Sequence, residues 1–545
     1  MSLDFIKDLL KKRGIVNKTE IEKFLNPSYE DRHDPFLMKD MKKAVERIKK
    51  AIDKDEKITI YSDYDCDGIP GAVVFSDFLE KIGFSNFEVY IPDRHDEGYG
   101  LNMSAVESIL KNGTKLLVTI DLGITAIEEA LLLKEKGVDL IITDHHEPKE
   151  VLPECFAILN PKTDDYPEKM LCGSGVCYKF VEGFLSKYGT EYSVPNGWEK
   201  WLLDMVSLAT LSDMVPLLGE NRVFAKYGLL VFRKTKRPGL NALLSELSID
   251  KRFISEDDIT FMITPRINAA SRLDDPMIAF RLLSTKDAKE AMLLAKKLSE
   301  INDTRKKLVA QTVKEAKKRL AKRETGKVIV IGDPTWRPGI LGLVASKISE
   351  EYGKSTFVWG EDGGGEIKGS CRSFGDEDVF TLMDKTKDSF VSFGGHKGAG
   401  GFSVSKDKIH FLEEELSKNS KRGENETGEV ESIFDTTLSL IDVSRESAEM
   451  LRKMSPFGFG NPKPIIKFEE LNLKNLRKFG KDKSHLELIV SDKSGGQDRK
   501  VIYFFAKDDD VAALEEIDIF SLKAHIDESY YGGSYELRLR YVSID

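Results

Sequence analysis

The chain has no C-x-x-C pair: its five cysteines, Cys66, Cys155, Cys172, Cys177 and Cys371, are odd in number and scattered. That pattern excludes a disulfide framework and a zinc knuckle, and predicts free thiols. No run of about 18 apolar residues occurs, so no membrane-spanning helix is expected. The opening "MSLDFIKDLLKKRG" lacks the apolar core and small-residue cleavage site of a secretory signal, which predicts a soluble, cytoplasmic protein. An excess of positive charge is missing as well, the formal net charge being -10. A surface coated with basic residues is therefore excluded, although a local basic groove is compatible with an acidic total.

What is present points to a large globular chain. Its 545 residues suggest three or four domains at about 150 residues each, and 41% apolar content is enough for several cores. Residues 1–50 read as a helical segment, with apolar residues on one face of "DFIKDLLKKR", "TEIEKFL" and "MKDMKKAVERIKKAI". Residues 51–285 alternate short apolar runs ("KITIYSD", "FEVYIPD", "KLLVTIDLG", "VDLIITDHH", "CFAILNP") with helical stretches, the signature of βαβ units around a parallel sheet. Residues 286–323 contain no Gly or Pro and predict one long connecting helix. A second α/β segment spans 324–418, a polar linker 419–430, and a strand-rich segment consistent with a small β-barrel spans 431–545.

Three of the early apolar runs end in acid. "ITIYSDYDCD" closes on Asp63, Asp65 and Asp67; "LLVTIDLG" on Asp121; "DLIITDHH" on Asp144, His145 and His146. The carboxyl ends of parallel strands line a shared crevice, so these residues are expected to converge. Like charges in a partly desolvated cleft repel by several kcal/mol unless cations neutralise them, and the pattern therefore calls for metal. Carboxylate oxygens with one or two imidazoles and no thiolate suit Mn²⁺ or Mg²⁺, and so many ligands suit two ions sharing a bridging carboxylate. Such a pair supports in-line phosphoryl displacement, the chemistry of a phosphoesterase. "SDYDCDG" also matches the start of a calcium loop, but Val74 stands where that loop needs its twelfth-position Glu.

These residues resemble the DHH phosphoesterases, named for a motif matched by Asp144-His145-His146, and within them the RecJ-type single-strand exonucleases. The resemblance covers essentially the whole chain: "SDYDCDG", "IPDRHDEGYG", "TIDLGIT", "TDHHEP", "LSDMVPLLGENR", "PRINAASRL", "WRPGILGLVASKI", "GSCRSF", "FGGHKGAGGFSV" and "SPFGFGNPKP" follow in the family's order. It implies a DHH domain and a DHH-associated C-terminal domain, both α/β, joined by the long helix, with a C-terminal OB-like β-barrel. It also implies that Asp63, Asp65, Asp67, Asp121, His145 and Asp213 hold two Mn²⁺ or Mg²⁺ ions with Asp121 as the bridge. His146 would face the scissile phosphate and Asp144 would orient an imidazole.

On the substrate side, Ser370-Cys371-Arg372 and Gly394-Gly395-His396 resemble the phosphate-binding runs of the associated domain. Arg94, Ser370 and Arg372 are candidates for gripping a terminal 5′ phosphate, since Arg meets phosphate with two parallel donors. The run "GGHKGAGG" offers accessible backbone N–H groups as a phosphate cradle, or is only a tight turn. Arg266, Asn268 and Arg272 are candidates for contacts to the nucleic-acid backbone, or one of the arginines braces local structure. The second half of the connecting helix is basic from Arg305 to Arg323 and is either a solvated face or lies against nucleic acid. Phe457, Phe459, Tyr530 and Tyr531 would stack bases of a single strand, or fill the barrel core.

The activity implied is metal-dependent degradation of single-stranded nucleic acid from the 5′ end to mononucleotides, in DNA repair, recombination or replication. DNA or RNA as the strand is left open. The protein is expected to be a monomer whose partners are single-stranded nucleic acid and repair or replication proteins such as a single-strand-binding protein, with no membrane. Two rivals remain: a DHH enzyme acting on short oligonucleotides, and a non-catalytic replication scaffold.

Overall fold

Short runs of apolar residues bounded by turn formers become strands buried on both faces. In the computed structural model β1 (Ile58–Ser62), β2 (Phe87–Tyr90), β3 (Leu116–Ile120), β4 (Asp139–Thr143) and β5 (Ala157–Leu159) form one sheet in the order β2-β1-β3-β4-β5. Every pairing in it is parallel. β1 and β3 are buried along their whole length, as strands covered on both faces must be. The structure describes residues 3–94, 97–361, 365–421, 434–480, 483–493, 497–506, 508–516, 519–529 and 535–544.

In this order the chain reverses direction across the sheet between β1 and β3, and the crevice outside their carboxyl ends is where such sheets bind ligands. Asp63 and Asp121 sit just past those two ends. Each ladder runs one step beyond its strand: Asp63 N–H donates to Ile120 O at 3.1 Å, Asp121 N–H to Thr143 O at 2.9 Å and Asp144 N–H to Leu159 O at 3.0 Å. The carboxylates are thus fixed by backbone bonds to the sheet itself.

The connecting helix, Ala288–Leu320, is a single piece of 33 residues, capped by Asp287, whose side chain accepts from Lys289 N–H. Beyond it lies a mixed sheet in the order β6-β7-β8-β10-β9, built from Ile329–Gly332, Thr356–Glu361, Ile367–Arg372, Ala399–Val404 and Ser392–His396 respectively. The last sheet joins β11 (Thr436–Thr437), β12 (Ile466–Phe479), β13 (His485–Asp492), β14 (Arg499–Tyr503), β15 (Ile519–Ser529) and β16 (Glu536–Ile544). An additional β12–β15 pairing closes it on itself, an OB-like ring. The polar linker expected over 419–430 falls, from residue 422 on, outside the described residues.

The first fifty residues split between two cores. Helices Leu3–Lys12 and Lys18–Leu25 bury Ile6, Leu9, Leu10, Ile21, Phe24 and Leu25 against the closed C-terminal sheet, in one cluster with Phe468, Leu488 and Leu522. Helix Met41–Asp53 instead buries Met41, Val45 and Ile48 in the core of the first sheet. An amphipathic pattern fixes that a face is buried and leaves open which surface buries it. Among the described residues no helix is long and apolar enough to cross a membrane.

Candidate metal centre

The turn after β1 is built to present carboxylates. Asp65 Oδ1 accepts from Asp67 N–H at 2.7 Å and from Gly68 N–H at 3.1 Å, which closes the chain into the helix Gly68–Lys81. A Cβ on Gly68 would lie 2.4 Å from Asp63 O, so the turn requires glycine. Asp67 reaches across to the start of the helix Gly173–Tyr188, where Gly173 N–H and Ser174 N–H donate to its carboxylate at 2.6 and 2.7 Å. Helix N-terminal amides are natural partners of an anion. Asp121 has φ +64 and packs so tightly on Gly173 that a Cβ there would sit 2.5 Å from Asp121 Oδ1.

His145 stands at the centre. Its Nε2 is 3.2 Å from Asp121 Oδ1, 3.5 Å from Asp213 Oδ2 and 3.8 Å from Asp67 Oδ2. Around it three groups of ligand atoms each gather within 4.8 Å: Asp63, Asp65 and Asp121; Asp67, His145 and Asp213; Asp121, His145 and His146. Asp121 and His145 each belong to two of them. Asp63 Oδ1, Asp121 Oδ1 and Asp213 Oδ2 are buried with no hydrogen-bond partner among the described residues. Buried, unpaired carboxylate oxygens are costly, and hard divalent cations are the partners that would satisfy them. The residues fit Mn²⁺ or Mg²⁺.

The electrostatics agree. Burial, and then neighbouring carboxylates, push Asp63 and Asp121 well above the usual carboxylate range, Asp67 up to about 6 and Asp213 up to about 9. Burial, reinforced by the charge on His146, pushes His145 down to about 3, leaving the neutral imidazole a metal needs. Asp144 goes the other way: burial opposes its ionisation, but the hydrogen bond and charge of His146 prevail and hold it low. His146 Nδ1 donates to Asp144 Oδ1 at 2.8 Å, while Asp144 also accepts from Ile124, His145 and His146 N–H at 2.9, 2.7 and 3.1 Å. The imidazole that Asp144 orients is therefore that of His146, and the His145 ring donates its own orienting hydrogen bond to the Leu171 backbone.

Close to the carboxylates lie several arginines. Arg272 donates to Gly339 O at 3.1 Å, at the start of the helix Pro338–Tyr352 of the second α/β unit. Burial pushes it down to about 9, helped by the nearby charges of Arg94, Arg305 and Arg372 and opposed by Asp65. Arg94 lies over the Tyr64 ring at 5.1 Å, and Arg372 packs on Gly342, where a Cβ would meet its Nη2 at 2.9 Å. Guanidinium groups from separate elements that repel one another here offer paired donors of the kind that suits an anion.

Three family models match: the N-terminal domain of the DHH family over residues 57–210, the DHHA1 domain over 325–421 and the RecJ OB domain over 434–543. The single-stranded-DNA-specific exonuclease RecJ of Haemophilus influenzae is 30% identical, over 90% of this chain and 87% of its own length. The chain belongs to the RecJ family. Its counterpart in Bacillus subtilis is 36% identical over 90% of this chain, which spans only 62% of that longer relative. Among solved structures, RecJ of Thermus thermophilus in complex with Mn²⁺ matches with a TM-score of 0.82 at 25% identity, over 99% of this chain and 75% of that one. An exonuclease RecJ bound to manganese matches at 0.63 and 30% identity, over 72% of this chain and 97% of that one.

The residues expected from the RecJ resemblance separate into groups. Asp63, Asp65, Asp67, Asp121, Asp144, His145, His146 and Asp213 come together at the metal centre. Arg94, Arg272 and Arg372 come together close by, and Ser370 lies on β8 between β7 and β10. Asn268 accepts from Cys66 N–H at 2.8 Å and so braces the acidic turn. Arg266 donates to Ser299 Oγ and Met262 O, tying its helix to the connecting helix. Gly394, Gly395 and His396 belong to β9, an exposed strand that among the described residues pairs only with β10, and "GGHKGAGG" is a hairpin. Phe457 and Phe459 lie where the closed sheet meets the first domain, since Phe457 N–H donates to Glu256 and Phe459 O accepts from Leu217 N–H. Tyr530 and Tyr531 lie outside the described residues. Along the basic helix, Lys317, Arg319 and Arg323 pair with Glu351, Asp333 and Glu413, bracing the second unit.

Three residues at the cluster were not singled out in the sequence. Gly173 and Ser174 cradle Asp67 and Asp121 from a helix start 106 residues away from Asp67. Tyr99, in "EGYG", puts its hydroxyl 3.3 Å from His146 Nε2. In the sequence it stands between Gly98 and Gly100, both of which the structure places at positive φ.

Proposed function

We propose that the chain is a metal-dependent exonuclease that degrades single-stranded DNA from its 5′ end to mononucleotides. The observation that carries this is the ring of unpaired carboxylate oxygens on Asp63, Asp121 and Asp213 around neutral His145, with the arginines at 94, 272 and 372 close by. RecJ relatives that match 90% of this chain over 87% of their own length are named for single-stranded DNA.

Asp63, Asp65, Asp67, Asp121, His145 and Asp213 would hold two Mn²⁺ or Mg²⁺ ions, which supply charge neutralisation and an activated water for in-line attack on phosphorus. Asp144 fixes the His146 ring by a 2.8 Å bond and, against burial, raises its pKa, so that the protonated ring presents its remaining nitrogen, beside the Tyr99 hydroxyl, to the scissile phosphate as a donor. The arginines and Ser370 hold the terminal phosphate, and Gly394, Gly395 and His396 line the same wall with backbone N–H groups. Arg266, held by Ser299 and Met262, and Asn268, held by Cys66, keep their helix in register with the acidic turn. The protein acts in the cytoplasm as a monomer, in DNA repair, recombination or replication, with repair or replication proteins such as a single-strand-binding protein as partners.

Matched DNA and RNA oligomers labelled at either end, followed with Mn²⁺, Mg²⁺ or chelator, test this. Metal-dependent release of mononucleotide from the 5′ label of DNA is the expected result. Binding without cleavage under every metal would turn the assignment to a scaffold.

A further inference from the structure

Asp213 is the one proposed ligand that does not stand at a strand end. It caps the helix Leu203–Ser212, and its side chain is about a quarter exposed. Upstream it is well held: Asp213 N–H donates to Ala209 O at 3.0 Å, and the Ser212 hydroxyl sits 2.6 Å from that of Thr264. Downstream, Met214 is 73% exposed and left-handed, φ +57, a conformation that a residue with a Cβ keeps only where its surroundings impose it.

The imposing contacts come from the C-terminal domain. Leu217 N–H donates to Phe459 O at 2.8 Å. Gly460, φ +72, lies so close that a Cβ would meet Pro216 Cβ at 2.9 Å and its Cα at 3.1 Å, and a Cβ on Gly458 would meet Leu217 Cδ1 at 2.8 Å. The loop that does this is fastened to the first domain twice more. Glu256 accepts from Ser455 Oγ at 3.2 Å and Phe457 N–H at 2.9 Å. Fully buried Arg222 donates to Met454 O and Ser455 O at 3.1 and 2.9 Å, and to Phe24 O of the N-terminal helices at 2.7 Å. Between clamp and ligand, Val215 packs on Cys172 and Ala209, and Cys172 precedes the Gly173 that supports Asp121.

We infer that the docking loop Ser455–Asn461 of the C-terminal domain is a positioning element of the metal centre: by gripping Pro216 and Leu217 it fixes the segment that presents Asp213. The C-terminal domain thereby sets metal occupancy, independently of any strand it binds. Because it takes Asp213 as a ligand, this inference rests on the proposed function.

The test uses the full chain in three forms, wild type, Gly460→Ala and Phe459→Ala, with Mn²⁺ alone as the probe. Phe459→Ala removes a half-exposed ring and leaves the carbonyl that holds Leu217. Mn²⁺ binding is read by electron paramagnetic resonance of the free ion without DNA, alongside cleavage of a short oligomer against Mn²⁺ concentration. Gly460→Ala should weaken one of the two Mn²⁺ sites about tenfold, in the range for losing a supporting contact around a ligand. Its cleavage should recover at high Mn²⁺ with KM for the oligomer unchanged, while Phe459→Ala binds Mn²⁺ as wild type does. Where Gly460→Ala fails to fold, Glu256→Ala, which frees Ser455 and Phe457, gives the same readout. Wild-type Mn²⁺ affinity in a folded Gly460→Ala or Glu256→Ala protein overturns the inference. If wild type itself binds no Mn²⁺, the proposed metal centre falls first and the inference with it.

Discussion

At the scale of single residues, the site stores electrostatic strain that metal relieves. Asp121 is one such point: it is buried, left-handed, pressed on Gly173, and shared by two groups of ligand atoms. Asp121→Asn keeps the shape but removes the charge, and cleavage of a labelled strand should fall by at least about 1,000-fold, as expected when a group acting in a unit is lost. Affinity for the strand, read by fluorescence anisotropy in chelator, should stay within about twofold, and retained turnover would refute the bridging role. A second consequence concerns pH. Asp67 at about 6 and Asp213 at about 9 have folded-state values raised above those of the unfolded chain, first by burial and next by Asp65 for Asp67 and by Asp67 for Asp213. Groups raised in this way contribute stability that is full below their unfolded values near pH 4 and lost as pH rises through 6 to 9. Without metal the protein should therefore melt at a lower temperature at pH 8 than at pH 5.5. Mn²⁺ should narrow that difference, since protons and metal compete for the same oxygens, and saturation at 100 times Kd adds about 2.7 kcal/mol at the pH where it binds. An equal Mn²⁺-induced rise in melting temperature at both pH values would count against the cluster as the binding site.

At the scale of elements, the strand ends were legible because an apolar run closed by an acid, repeated in a βαβ order, marks the carboxyl end of a buried strand, and the sheet's direction then brings the acids together. The connecting helix was legible for a similar reason, with no helix breaker from 286 to 323 and an observed helix from Ala288 to Leu320. The partners of those elements were not. Nothing near Gly173 in sequence announces that its backbone will hold Asp67, and nothing in "GGHKGAGG" distinguishes an edge hairpin from a loop. Charge was also ambiguous, since a basic run reads alike whether it pairs within the protein or faces a polyanion. The structure divides that run: Lys317, Arg319 and Arg323 are paired with acids, whereas Arg305 has a buried Nε with no partner among the described residues and lies by Arg266 and Lys306. Arg305→Ala with Lys306→Ala should therefore weaken strand binding in all sequences alike and lower the slope of log K against log salt by about 1.4, near 0.7 per phosphate contact on a single strand. Lys317→Ala with Arg323→Ala should leave the slope unchanged and lower the melting temperature instead. The reverse outcome would move the strand's path to the far end of the helix.

At the scale of the whole molecule, the ends of the chain close on each other. Residues 3–25 supply one side of the core of the closed C-terminal sheet, and Arg222 ties both to the first domain. Removing residues 431–545 alone would expose Ile6, Leu9, Leu10, Ile21, Phe24 and Leu25 together, an apolar patch of the kind that drives association. That deletion should give aggregated protein, whatever the role of the C-terminal domain in binding strands. Deleting residues 1–27 as well removes the orphaned face and stops short of Tyr29, whose hydroxyl meets that of Tyr178 at 2.7 Å inside the first core. The doubly shortened protein should be soluble and should discriminate long from short strands less than the full chain does. It should also need more Mn²⁺ to cleave a short oligomer, because Pro216 and Leu217 have lost their clamp. Light scattering, strand-length dependence and Mn²⁺ dependence are separable readouts of these effects. Solubility after the single deletion would break the link between the two ends, and a wild-type Mn²⁺ requirement after the double one would break the link from the C-terminal domain to Asp213.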